Sequence, residues 1–349
     1  MMVLFFPFLL NLIRRFWKKK ICIPFTILAI LIIAFGFYIK SRCGLLALYI
    51  CTIIWIYPLL KRHFGKCIVI GGVWLLTIVL SVSFYFIRPE SVKGRLLVYK
   101  VMSQAIINQP LGGYGAHAMY QHYMFHQAEY FQATPADSAA QLADNVYFPY
   151  NEFLGIAYRF GLPVLIVTVM LLIWMYMRSG TVIRESIAGL FTMCMFSYPF
   201  SAISMQSHKI ETLYEEAASL NLSGRYHESD SVLITCQKYF NNYDTELLAA
   251  DNALQQEKYK RAIPHLIMAH NMIPNRFYPL YGLMLCYEEV SPLKAFSVAQ
   301  EIRQKEIKVP SPDVDMIRAE AASYIKENNH ISAGSYYNTQ SYFSSGMFC

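Results

Sequence analysis

The stretch that decides how this chain is organised is polar and lies between apolar runs. It begins with GRLLVYK (94–100), passes through QPLGGYG (109–115) and closes with YFPYNEFL (147–154). A loop of this length between apolar helices is uncommon unless it has a function. We therefore treat residues from about 88 to 153 as a functional loop, with an anchor before it and a helical appendage after it.

The composition separates an apolar part from a water-soluble part. Hydrophobic residues make up 55% of the 349 residues and charged residues 15%, against about 25% charged residues in soluble domains. This deficit of charge lies in the first 200 residues or so. The net charge of +7 comes mainly from basic residues at the ends of apolar runs, which favours a role in membrane topology over nucleic-acid binding.

Five apolar runs have the composition and nearly the length of membrane-spanning helices, which need about 20 residues. They cover residues 21–39, 44–60, 67–87, 153–177 and roughly 186–203. Residues 1–13 are also apolar, and the basic cluster Arg14–Lys20 follows them. A secretory signal has the opposite order, so we interpret residues 1–13 as the end of a further span whose beginning is missing.

Charges in the short loops predict the orientation of these spans. Basic residues near 14–20, 61–66 and 178–184 alternate along the chain, as cytoplasmic loops do in multi-pass proteins. The loop 88–153 and the chain after residue 203 then lie on the other side. The sequence therefore predicts a multi-pass membrane protein whose loop and C-terminal region lie on the side away from the cytoplasm, which in a bacterium is the periplasm.

The C-terminal part carries a repeat of 33 residues. Two sets of residues follow this spacing: Tyr226, Tyr259 and Pro292, and Ser229, Ala262 and Ala295. Small residues at fixed positions of paired helices resemble tetratricopeptide repeats, here over residues 206–326. An unrelated array of helical hairpins is the alternative. Residues 327–349 are rich in Ser, Tyr and Asn, and we expect them to be disordered.

The spacing of cysteines and histidines predicts no metal site and no cofactor. The eight cysteines contain no CxxC pair, so they are interpreted as small hydrophobic residues. His117, His122 and His126 are spaced by five and four residues, and no Glu stands between the last two as in a zinc-protease pattern.

Two arginines are the strongest candidates for binding an anionic group. Arg95 opens a segment whose apolar spacing suits an amphipathic helix on the membrane surface. Arg42 reaches the same membrane face from the end of the span 21–39. Guanidinium groups match the oxygens of a lipid-linked diphosphate. A snorkelling topology residue, for Arg42, and simple attraction to anionic lipid, for Arg95, are the alternatives.

The glycines that follow this helix have two interpretations. Gly113 and Gly115 permit a tight backbone that could present amides to a phosphate. A plain turn after a helix is the alternative.

Together these pieces resemble the O-antigen ligase and O-antigen polymerase family of polytopic bacterial membrane proteins. The resemblance covers about residues 38–199. The matching segments are Ser41–Gly44, Gly94-Arg95, Pro110–Gly115, Asn145, Asn151–Leu154 and Phe160–Leu162. The predicted fold is all-α: a polytopic transmembrane helical bundle over 1–205 with a large external loop, followed by a tetratricopeptide-like α-solenoid over 206–326.

The resemblance implies transfer of a glycan from an undecaprenyl-diphosphate carrier to a lipid A-core, glycan or protein acceptor. Arg42 and Arg95 would hold the diphosphate, and Arg95 would stabilise the charge of the leaving group. The other substrate-binding residues would be Gly113, Gly115, Asn145, Tyr150 and Asn151.

Two departures from the family pattern support a second hypothesis. The histidine that the family usually has near Asn151 is replaced here by Phe148 and Tyr150, which leaves Glu152 and His117 as the candidate general bases. The chain also has fewer predicted spans than the family. The alternative is a catalytically inactive, membrane-anchored scaffold of the cell envelope whose repeats recruit a protein partner.

The predicted topology can be tested with a reporter fused at Ala133, inside the loop. An enzyme reporter that works only outside the cytoplasm should be active at this position, whereas a cytoplasmic reporter should be silent. A fusion within the basic turn 61–66 is the control and should give the opposite pattern. Cytoplasmic activity at Ala133 would overturn the predicted orientation.

Overall fold

The computed structural model describes residues 2–39, 42–87, 89–135, 137–197 and 207–328. Within these ranges the chain has seventeen α-helices, one 3-10 helix and no strand, so the predicted all-α class is confirmed. The chain divides into two compact units. Unit 1 comprises Met1–Ala116 and Phe148–Met205, and unit 2 comprises His117–Tyr147 and Gln206–Cys349.

The bounds of the helices follow in chain order. The first ten are α1 (Met2–Arg15), α2 (Cys22–Tyr38), α3 (Arg42–Phe64), α4 (Lys66–Ile87), α5 (Pro89–Asn108), α6 (Ala118–Gln121), α7 (Tyr123–Ala133), α8 (Glu152–Phe160), α9 (Leu162–Arg178) and α10 (Thr181–Phe196). The 3-10 helix Ser138–Leu142 lies between α7 and α8. The last seven are α11 (Ser207–Leu222), α12 (Tyr226–Gln237), α13 (Tyr243–Gln255), α14 (Tyr259–Met272), α15 (Tyr278–Val290), α16 (Pro292–Gln304) and α17 (Pro312–Glu327).

The core of unit 1 forms around α1, which packs against α2, α3 and α10. Phe6, Leu10 and Ile13 of α1 are buried in one apolar cluster with Leu48 and residues of α2. These α1 positions recur every three or four residues, which is the spacing of one helix face. Helix α1, which covers the described part of the apolar segment 1–13, is thus a packed core helix of this unit.

One helix of the described chain is long and apolar enough to cross a membrane, over Cys43–Phe64 of α3. Three other helices are apolar but shorter by the same measure: Cys22–Tyr38, Lys66–Val79 and Leu162–Arg178. Large apolar side chains such as Trp74 and Trp174 are exposed on two of them. The structure thus contains a membrane-capable helix together with shorter apolar ones.

The single span predicted over 153–177 is wrong, because the chain breaks there into α8 and α9. Gly161 separates them with a φ of +85°, a conformation that residues with a side chain rarely adopt. The N–H of Leu162 donates to the carbonyl of Pro110 at 2.7 Å. The turn at residue 110 therefore contacts the break between α8 and α9. The spacing of apolar residues along the chain cannot predict such a long-range contact.

The helices of unit 2 from α11 onward pack in consecutive pairs: α11 with α12, α13 with α14, and α15 with α16, while α17 packs against α16. The second helices of the three pairs begin at Tyr226, Tyr259 and Pro292, which are the residues spaced by 33. Three residues further on, Ser229, Ala262 and Ala295 are 0% exposed. The register of the repeat is therefore present in the helices.

The turns inside two of these pairs are built alike. Arg225 N–H bonds to the Leu220 carbonyl and Lys258 N–H to the Ala253 carbonyl, at 2.9 and 2.8 Å, as in a Schellman helix end. The preceding residue has a positive φ in both: +75° at Gly224 and +57° at Glu257. The repeat thus places a glutamate where the backbone favours glycine.

The centre of the polar loop groups with the repeats. Residues 117–147 belong to unit 2, and α7 packs against α14. This differs from the predicted division into 1–205 and 206–326. The predicted boundary at 205/206 lies outside the described residues, as does the predicted disordered tail beyond residue 328.

The turn at 257 yields a stability prediction. Glu257→Gly should raise the free energy of unfolding of unit 2 by about 0.5–1 kcal/mol, because it relieves a left-handed residue. Gly224→Ala should lower it by a similar amount, since nothing lies within 4 Å of the added Cβ and only the conformation changes. Hydrogen exchange in the full chain measures both, at the amides of α13 and α14 for Glu257→Gly and at those of α11 and α12 for Gly224→Ala. An unchanged or less stable Glu257→Gly variant would contradict the prediction.

Candidate functional site

Arg95 is carried by α5, whose packing leaves one face of the helix accessible. Six apolar residues of α5 are buried, and the helix packs against α8: Leu97, Val98, Val101, Met102, Ala105 and Ile106. The amphipathic helix predicted here is therefore present. Leu96 is 54% exposed, because the packed stripe runs through Leu97 and Val101 instead.

The guanidinium of Arg95 lies where three chain segments of unit 1 meet. Its Nη1 donates to the carbonyl of Phe196, at the end of α10, at 2.9 Å, and lies 3.9 Å from Sγ of Cys43, at the start of α3. The Cys43 thiol donates to the same carbonyl at 2.8 Å. The Cζ atom of Arg95 lies 5.4 Å from the centre of the Tyr150 ring, within the range of a cation–π contact.

Arg42 is the first residue of α3 and directly precedes Cys43. Its side chain lies outside the described residues, as does Ser41 of the predicted match. The backbone of Arg42 is thus adjacent to the residue that Arg95 contacts. Across the described chain no carboxylate forms an ion pair with Arg95.

Tyr150 and Asn151 are held by hydrogen bonds within unit 1. Tyr150 has a φ of +54°, and its carbonyl accepts a bond from the Tyr99 hydroxyl at 3.1 Å. Asn151 caps α8 by accepting from the N–H of Leu154, and its Nδ2 donates to the carbonyl of Met195 at 3.0 Å. Burial raises the pKa of Tyr99, and the charge of Arg95 acts in the opposite direction. The segment therefore presents Tyr150 to Arg95 from fixed anchors.

Glu152 is buried beside a cation. It is 2% exposed, and its Oε2 lies 3.6 Å from Nη2 of Arg159 on the same helix. A buried carboxylate beside a guanidinium is suited to holding an element in place. The predicted role of Glu152 as a general base stays a prediction.

The glycine turn 112–115 closes the end of α8. The N–H groups of Tyr114 and Gly115 donate to the carbonyls of Tyr158 and Arg159, both at 2.9 Å. A Cβ at Gly113, whose φ is +62°, would lie 2.5 Å from the backbone of Arg159. These two amides therefore fit the interpretation of a plain turn after a helix. They already bond to carbonyls that the end of α8 leaves unpaired, and so they are not aimed at a phosphate.

His117 and Asn145 belong to unit 2. His117 is exposed and precedes α6. The Nδ2 of Asn145 donates to Oδ2 of Asp244 at 2.8 Å, and burial raises the pKa of Asp244. The structure brings Arg95 together with Tyr150. The other predicted residues that belong to unit 1 are Gly113, Gly115, Asn151 and Glu152.

Four residues of this site were missed from the sequence. Tyr99 lies four residues after Arg95, so helical spacing could have indicated this pair. Arg159 lies seven residues after Glu152, on the same face but two turns away. Cys43 and Phe196 carry no such signal, because they meet Arg95 only through the fold. Within the described ranges no group of three or more His, Cys, Asp or Glu side chains could hold a metal ion.

The close approach at Gly113 predicts a difference between two neighbouring glycines. Gly113→Ala should destabilise unit 1 by about 2–3 kcal/mol, because the new methyl group overlaps the Arg159 backbone. Gly112→Ala is the matched control, since nothing lies within 4 Å of its Cβ. The four tryptophans at 17, 55, 74 and 174 all belong to unit 1. Thermal unfolding followed by tryptophan fluorescence should separate the variants, and equal midpoints would contradict the prediction.

The resemblance to O-antigen ligases and polymerases stays a prediction at this point, as do the substrates and the acceptor that it implies. The site consists of the Arg95 guanidinium, the neighbouring Tyr150 ring and the start of α3 at Cys43. Comparison of the chain with protein-family models, with curated proteins and with solved structures found no match.

Proposed function

We propose that the protein transfers a glycan from an undecaprenyl-diphosphate carrier to a lipid A-core, glycan or protein acceptor. The reaction takes place at the periplasmic face of a bacterial inner membrane, as in the O-antigen ligase and polymerase family that the sequence resembles. The observation that carries this proposal is the position of Arg95 beside the start of α3, with no carboxylate partner in the described chain.

The chemistry of this position suits a diphosphate. A guanidinium has five N–H donors in a fixed plane, and the hydrogen bonds described for Arg95 use only Nη1. The first turn of a helix such as α3 adds unpaired backbone N–H groups and the positive end of the helix dipole. Arg42 is the first residue of this same helix, and it stays the second arginine that the resemblance assigns to the diphosphate.

In the proposed reaction the acceptor hydroxyl oxygen attacks the anomeric carbon of the glycan. The bond from that carbon to the diphosphate breaks, and its electron pair passes to the departing diphosphate oxygen. Arg95 stabilises this growing negative charge. A general base takes the hydroxyl proton, and the candidates are His117, which is exposed, and Glu152, whose burial beside Arg159 favours a positioning role.

We place this site at a membrane surface. The proposed arrangement is a polytopic bundle in which α2, α3, α4, α9 and α10 cross the bilayer. It is supported by one helix of full length, by three shorter apolar helices and by exposed apolar side chains along them. Basic residues stand at the ends of α1, α3 and α9, where cytoplasmic anchors are expected.

We propose that α11–α17 form a tetratricopeptide-like array that binds a protein partner of the cell envelope. The support is the packing in consecutive pairs, the common starting positions and the buried small residues at one register. The inactive scaffold remains the second candidate, because Glu152 is already engaged by Arg159. A scaffold would use this array without any glycan transfer.

The proposal is tested by binding of undecaprenyl diphosphate to the full chain in lipid nanodiscs. Arg95→Ala should weaken binding at least about tenfold, because a hydrogen bond to a charged group contributes about 1.5–3 kcal/mol. Lys93→Ala removes the same charge from an exposed position of α5 and should leave binding within about twofold. Glycan at the cell surface should be lost with Arg95→Ala at equal protein abundance.

Two outcomes would overturn the proposal. Equal binding by Arg95→Ala and the parent chain would remove the diphosphate site. Normal surface glycan in cells that lack the protein would remove the transferase role and leave only the scaffold.

A further inference from the structure

The centre of the polar loop, residues 117–147, packs against the repeats within unit 2. Helix α7 packs against α14. Nine apolar residues of the segment 117–147 are buried: Ala118, Met119, Tyr123, Met124, Ala128, Tyr130, Phe131, Ala143 and Val146. Burial on this scale in a polar stretch shows a docked element, because an unattached loop leaves such side chains in water.

Gln127 lies at the middle of this docking. Its side chain is 0% exposed. Its Nε2 donates to the carbonyl of Met272, the last residue of α14, at 2.7 Å and to that of Asp144 at 3.3 Å. Its Oε1 accepts from the Tyr123 hydroxyl at 3.1 Å. One buried amide therefore joins α7, the end of the loop segment and the end of a repeat helix.

The turns that follow α12 and α14 hold the rest of the segment. Asn275, which is 9% exposed, donates from Nδ2 to the carbonyls of Gln141 and Ala143, both at 3.1 Å. The preceding turn donates from the N–H of Asn241 to the carbonyl of Tyr120 at 2.9 Å. The two turns follow the second helices of two successive pairs, so the segment contacts the same turn in two successive repeats.

We propose that the repeats hold the centre of the external loop in place, and that Gln127 and Asn275 are positioning residues for glycan transfer. This inference rests on the proposed function. Residue 117 follows the turn 112–115 by two residues, and residue 147 precedes Tyr150 by three. Fixing the segment 117–147 therefore limits the two short connections that join this segment to the turn 112–115 and to Tyr150.

The docking is tested by hydrogen exchange of the full chain in nanodiscs. Gln127→Ala leaves the carbonyls of Met272 and Asp144 without this donor, so exchange in 117–147 should become about tenfold faster. Gln132→Ala is the matched control, because Gln132 is an exposed glutamine on the same helix. Amides of α16 should keep their protection in both variants. Asn275→Ala should speed exchange around 138–145, with Asn271→Ala as its control.

The functional part is tested by separating binding from transfer. Gln127→Ala should lower surface glycan at equal protein abundance, while the affinity for undecaprenyl diphosphate stays within about twofold. Arg95→Ala should show the reverse: lost affinity with unchanged exchange in 117–147. Gln127→Glu keeps the acceptor for Tyr123 and removes the donor to Met272, so it should lower surface glycan as Gln127→Ala does. Protection of the α16 amides identifies any variant in which unit 2 unfolds as a whole.

The outcomes distinguish this inference from the function on which it rests. Exchange in both Gln127 variants equal to that of Gln132→Ala would overturn the docking role. Faster exchange without any loss of surface glycan would overturn the positioning role alone. Unchanged diphosphate affinity in Arg95→Ala would instead remove the proposed function and leave the docking to stand on the exchange data.

Discussion

The carbonyl groups at the end of α8 must find donors once the chain breaks at Gly161, and the rest of the loop depends on how they do so. A helix end leaves its last carbonyls unpaired, and the amides of Tyr114 and Gly115 supply two of the missing bonds. The bond from Leu162 to Pro110 adds a third link. These bonds join residues 110–115 to residues 158–162, so the two ends of the polar stretch are tied within unit 1.

With its ends tied, the middle of the stretch can carry a separate packing role. The amide of Gln127 and that of Asn275 bond mainly to backbone carbonyls, which any sequence offers if its path is right. Buried amides with all partners satisfied specify a conformation more than they add stability. Arg95 differs in kind, because its neighbours are a carbonyl, a thiol and an aromatic ring, and none of these neutralises its charge.

Periodic features of this chain could be predicted from the sequence, and single long-range contacts could not. The all-α class, the helix carrying Arg95 and the 33-residue register all repeat along the chain and therefore leave a pattern. The break at Gly161 left none, because apolar residues flank it on both sides and glycine is common in membrane helices. Docking of 117–147 was missed for a related reason. Its signal is a glutamine in a polar stretch and an asparagine in a turn, both ordinary in loops.

The way the segment 117–147 engages the repeats has a consequence for growth of the array. Its described contacts with the repeats centre on α14 and on the turns after α12 and α14. Side-chain bonds also join Asn145 to Asp244 of α13, and Gln141 to Glu306 near the far end. A whole additional 33-residue unit inserted after α17 would preserve every one of these contacts. Insertion of one residue between α12 and α14 would shift the two turns against each other. Gene duplication could therefore lengthen the array after α17. The two helix pairs α11–α12 and α13–α14, in contrast, must keep a constant length to preserve these contacts.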